Sequence, residues 1–130
     1  MSFKEIPIQK PELQKLYREL GEARVRSIVL DFYARMEKDV MIGFFFTGRD
    51  IPSIAAKQTE FLLRAMGATP SYSGKAPADA HTALPPILTG HFDRRLKILE
   101  EALSAAGLTH EQVLVWIGFE NAFRNAIVSG

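Results

Sequence analysis

The chain contains no cysteine, which excludes disulfides, thiolate metal sites and thiol nucleophiles. Histidine is scarce, at three residues, so imidazole chemistry can come only from His81, His91 or His110. No apolar run approaches the ~20 residues that cross a bilayer, and the opening MSFKEIPIQKPELQ is too polar for a signal peptide. A cytoplasmic location is expected. The formal charge is +1 with no basic run, so nucleic-acid binding has no electrostatic support. Repeats, low-complexity tracts, alternating strand patterns and hairpin signals are all missing.

What the chain does have is helical spacing. Its 130 residues, 47% hydrophobic and 24% charged, suit one domain over 1–130, with 1–10 as an N-terminal extension. Val25, Ile28, Val29, Phe32, Tyr33 and Met36 form one face of a helix over 22–38. Ile54, Gln58, Phe61, Leu62 and Ala65 repeat the pattern over 51–66, with Asp50 as N-cap, Pro52 in the first turn and Gly67 as the stop. Phe92, Leu96, Leu99 and Leu103 mark a third long helix closed by Gly107. Thr109-His-Glu-Gln112 is a capping box that opens a last helix to about Val128. Its inward face carries Val113, Trp116, Phe119 or Glu120, Phe123 and Ile127. A short helix over 11–20 precedes the others. The class is all-α.

Two features break this regularity. Residues 67–90 hold four prolines and three glycines around His81, leaving room for one or two helical turns at about 76–84. A connection of about two dozen residues is uncommon in a compact domain unless function organises it. Polar groups also stand on apolar stripes: Tyr33 among Ile28, Val29, Phe32 and Met36, and Gln58 among Ile54, Phe61, Leu62 and Ala65. A buried amide without a partner costs roughly 1–3 kcal/mol, so either these groups satisfy each other or nearby carbonyls, or both line a cavity and donate to a ligand. The aromatic run Gly43-Phe-Phe-Phe46 is either core filling or one wall of that cavity.

An isolated imidazole, an aromatic corner and inward donors are what a haem pocket requires. Asp31-Phe-Tyr33, Gly43-Phe-Phe-Phe-Thr-Gly48, Lys57-Gln-Thr-Glu-Phe61, Tyr72-Ser-Gly74, Asp79-Ala-His81 and His91-Phe92 resemble the truncated haemoglobins in order and spacing. The likeness is best to group I, with Gly21-Glu22 and Gly67-Ala68 where that group has Gly-Gly pairs. Leu84-Pro-Pro86 and His91-Phe-Asp93 are similar to the proximal side of group III. The resemblance implies a two-on-two helical sandwich with a short proximal F segment, binding b-type haem with His81 as the iron ligand.

It further implies Tyr33 and Gln58 as distal donors, Phe45 and Phe46 packed at the haem, Ile54 at the distal gate, and Lys57 and Tyr72 near the propionates. Phe32, Phe61, Leu62, Phe92 and Leu96 are the implied apolar walls, with Ile87 anchoring the proximal segment. The implied ligands are dioxygen, nitric oxide and carbon monoxide. Nitric oxide dioxygenation, served by a reductase, is the implied reaction, although no residue pattern decides between enzyme and oxygen carrier. The alternative from another class is a haem-free helical interaction module. If His81 anchors haem, amide hydrogen exchange across 74–90 should slow markedly when haem is added; equal exchange with and without haem would refute that account.

Overall fold

The computed structural model describes residues 11–68 and 87–128, and every regular element among them is helical. His81, Tyr72, the 76–84 turn, Leu84-Pro-Pro86 and the extension 1–10 lie outside the described residues. The elements are α1 (Pro11–Leu20), α2 (Glu22–Glu37), a 3-10 turn (Gly43–Phe46), α3 (Ile51–Ala65), α4 (Thr89–Ala105), α5 (His110–Asn121) and α6 (Arg124–Ile127). Helix α2 packs on α1, the 3-10 turn, α3 and α4, while α5 packs on α4 and α1.

The periodicity accounts for the burial. Val25, Ile28, Val29, Phe32, Tyr33 and Met36, the predicted stripe, are all buried on α2. On α4, Phe92, Ile98, Leu99, Ala102 and Leu103 are buried. Each such valine, leucine, isoleucine, phenylalanine or methionine side chain contributes about 1.5–3 kcal/mol through removal from water. The ends of the helices follow local chemistry. Asp50 caps α3 by accepting from the Ser53 N–H at 3.3 Å, and Thr109 and Gln112 form the predicted reciprocal cap of α5, at 3.2 and 2.8 Å. Helix α3 ends in a Schellman motif: Ala68 N–H donates to Leu63 C=O and Gly67 N–H to Arg64 C=O, with Gly67 at φ +81°.

The last helix departs from the expected single run to Val128. It stops at Asn121 and resumes as the four-residue α6. The backbone tightens there, with Phe123 N–H donating to Glu120 C=O three residues back, at 3.1 Å. Side chains hold the turn. The Phe123 ring packs 5.1 Å from Phe119 and 5.5 Å from Phe61. Arg124 donates to Asp93 at 2.7 Å and lies over the Phe92 ring, so tertiary contacts override the helical run.

Asp39 ties the segment after α2 to α4. Its Oδ2 accepts from the backbone N–H groups of Met41 and Ile42, at 3.0 and 3.1 Å. Its Oδ1 accepts from Nε and Nη2 of Arg94, at 2.9 and 2.7 Å. The chain then doubles back so closely that a Cβ on Gly43 would stand 2.7 Å from the Glu37 carbonyl oxygen.

Two predictions follow this geometry. Gly43→Ala should lose about 1–3 kcal/mol of stability, the usual cost of overpacking, measured by urea unfolding. The Arg94 hydrogen bonds hold the Asp39 carboxyl below the ordinary carboxylate range. A carboxyl lowered in the folded state stabilises above its unfolded value of about 3.9 and loses that contribution as pH falls through the folded value. Asp39→Asn should therefore be less stable than the wild type at neutral pH, with the gap closing below about pH 4.

Candidate functional site

Tyr33 projects from α2 into the interior and is 7% exposed. Its ring meets Phe32 and Phe46 edge-on, at centroid distances of 5.4 and 5.9 Å. Phe46 is half-buried at the end of the 3-10 turn and packs against the core, as do the half-buried Ile54 of α3 and Ile87 just before α4. One turn after Ile54, Gln58 is also half-buried, and its amide has no hydrogen-bond partner among the described residues. The stripe continues into buried Phe61 and Leu62. Phe45 is buried, Leu96 is half-buried and Lys57 is exposed. Phe32 and Phe92 lie deeper, each with a guanidinium over its ring, Arg95 at 5.0 Å and Arg124 at 4.8 Å.

Burial pushes the Tyr33 phenol above its ordinary value, which keeps it a neutral O–H donor at physiological pH. The positive charge of Arg95 opposes that shift, and Glu120 reinforces it. These two were not among the residues expected at the site. Arg95 pairs with Glu120 at 3.4 Å, their side chains 17% and 6% exposed, and its charge also acts on the phenol. Removing one partner of such a buried pair typically costs 3–5 kcal/mol. The signal was available. Glu120 falls on the inward stripe of α5, and Arg95 stands three residues after Phe92 on the inward stripe of α4.

His91 has a local role. Its Nδ1 accepts the Leu88 N–H at 3.1 Å, and its ring meets Phe44 and Phe45 edge-on. His110 is exposed at the start of α5. A second polar outlier is Trp116, whose buried Nε1–H has no partner among the described residues.

A porphyrin needs apolar and aromatic walls with a few inward donors on its ligand side. Phe46, Ile54, Ile87 and Leu96 supply partly exposed apolar surface, and Tyr33 and Gln58 supply donors not taken up by one another. That donor set fits the group, whereas an aliphatic core with Tyr33 bonded to Gln58 would not.

Known proteins agree. Residues 15–128 match the family model of bacterial-like globins. The chain is 31% identical over 111 residues to a group 1 truncated hemoglobin of Mycolicibacterium paratuberculosis, covering 85% of this chain and 81% of that one. It is 30% identical over 97 residues to the group 1 truncated hemoglobin of Tetrahymena pyriformis, with coverages of 74% and 79%. The Fe(III) crystal structure of the Tetrahymena truncated hemoglobin superposes with a TM-score of 0.80 at 25% identity, over 88% of this chain and 98% of that one. The chain belongs to the bacterial-like globins, as a group I truncated haemoglobin, and is a haem-binding globin.

Proposed function

We propose that the protein, a single globin domain, holds b-type haem through His81, binds dioxygen and other diatomic ligands reversibly, and turns bound dioxygen and nitric oxide into nitrate. The observation that carries this reading is Tyr33, a buried phenol kept protonated among aromatic rings, with the amide of Gln58, which has no partner among the described residues, on the facing helix. When bound, haem supplies a ferrous iron for diatomic ligands and the one electron that nitrate formation from nitric oxide and dioxygen requires, to be returned by a reductase.

The chain's own groups set the behaviour of the pocket. Tyr33 and Gln58 donate to a ligand that gathers negative charge on its outer atom. Each such hydrogen bond of about 1.4 kcal/mol slows release about tenfold. Phe46, Ile54, Phe61 and Leu62 exclude water, which strengthens those bonds. Lys57 is exposed on α3 and Tyr72 follows that helix in the chain, so both suit haem propionates at the rim. Slow release suits chemistry on the ligand better than its delivery.

Haem titration separates this from a haem-free module. The wild type should develop a strong Soret band, shifted or lost in His81→Ala; unchanged uptake in that variant would remove His81 from the iron. Tyr33→Phe and Gln58→Leu should each speed dioxygen release about tenfold, read by flash photolysis or stopped flow, and unchanged rates in both would turn them away from the ligand. Rapid mixing of the oxygenated protein with nitric oxide should yield nitrate, and none would leave a ligand-binding role alone.

A further inference from the structure

We propose that Arg95, anchored by Glu120, is a positioning and selectivity residue of the ligand pocket: it leaves the Tyr33 hydroxyl hydrogen to point at the ligand and favours ligands that carry negative charge on their outer atom. The proposal rests on Tyr33 facing the ligand, as read above.

Several observations converge on Arg95. Its guanidinium is drawn inside, 17% exposed, on a helix face otherwise given to Phe92 and Leu99. It lies over the Phe32 ring, with Cζ 5.0 Å from the centroid, and Nη2 reaches Glu120 Oε1 at 3.4 Å. Phe32 and Tyr33 are neighbours in sequence and edge-on in space, and the charge of the guanidinium over Phe32 acts on the Tyr33 phenol as well. A guanidinium offers only donors, so in any bond between the two the phenol oxygen accepts. The phenol's own hydrogen is left over. Among the described residues no hydrogen bond takes it: the rings of Phe32 and Phe46 meet Tyr33 edge-on, and Glu120 Oε1 is engaged by Arg95.

Charge then sets selectivity. A phenol that sits beside a cation is a stronger donor, and the cation's own field in a dry site acts on whatever the phenol addresses. Dioxygen draws electron density from ferrous iron, while carbon monoxide gathers little. The pair of Tyr33 and Arg95 should hold the first and be nearly indifferent to the second. Glu120 explains how a bare cation is kept there, because an unpaired buried charge would be expelled or left unfolded.

The test uses haem-loaded protein, with dioxygen and carbon monoxide as probes. Arg95→Met should release dioxygen about tenfold faster, the factor for one lost charge-assisted interaction. Its carbon monoxide release should change little, while the C–O stretch moves to higher frequency. Arg95→Gln, which keeps a donor without the charge and disturbs packing less, should move both in the same direction by a smaller amount. Arg95→Lys should stay near the wild type. In haem-free protein, ultraviolet titration of the tyrosines with Tyr33→Phe as blank should find Tyr33 ionising at higher pH once the Arg95 charge is removed. If dioxygen release and the C–O stretch match the wild type in Arg95→Gln or Arg95→Met while Tyr33→Phe changes both, Arg95 is a structural ion-pair partner and the proposal is overturned. If Tyr33→Phe changes neither, the placement of Tyr33 itself has failed, and the proposal with it.

Discussion

Everything in the described fold leans on the burial of α2. One continuous stripe of six side chains from Val25 to Met36 is buried, and the helix has α1, α3, α4 and the 3-10 turn against it. A helix enclosed on several sides cannot rotate without exposing core, because interiors are close-packed and shift between discrete arrangements rather than deforming smoothly. Tyr33 belongs to that stripe. Its ring is held between those of Phe32 and Phe46, and the proposed distal donor inherits the rigidity of the core.

The polar elements work around that constraint at two depths. Near the surface, Asp39 binds backbone N–H groups of its own segment and the Arg94 side chain of α4, so the stretch that delivers Phe44–Phe46 is fastened to the same helix that carries Arg95. In the interior, the next residue along that helix turns inward to Glu120. Two adjacent arginines thus serve different faces of one helix. The outer pair stabilises by geometry and shared backbone hydrogen bonds. The inner pair is costly to desolvate.

Helices and their ends were legible in the sequence because the signals are local. The caps at Asp50 and Thr109, and the stops at Gly67 and Gly107, depend on residues a few positions apart. The break at Asn121–Phe123 was not legible. It depends on Arg124 meeting Asp93 and on Phe123 meeting Phe61, contacts between distant parts of the chain that helical periodicity cannot report. Tyr33 and Gln58 stood out as polar groups on apolar stripes, yet the same test applied to α4 would have singled out Arg95. Arginine's long stem makes it a common resident of helix flanks, and its charge disguised an inward position. The stripe of α5 left Phe119 and Glu120 as rivals for one inward place, whereas both are buried.

The neighbouring positions of Arg94 and Arg95 also bear on how the chain can vary in length. Successive residues on an α-helix are turned by about 100°, so the two guanidinia keep their separate duties only in one register. An insertion of a single residue in the first turns of α4 would swing the inward cation toward the surface and bring an outward one to the core. The aliphatic stripe of Ile98, Leu99, Ala102 and Leu103 would be misaligned as well. Length changes in descendants of this sequence should therefore fall ahead of Thr89, where the helix has not yet begun and the wiring of charge is untouched.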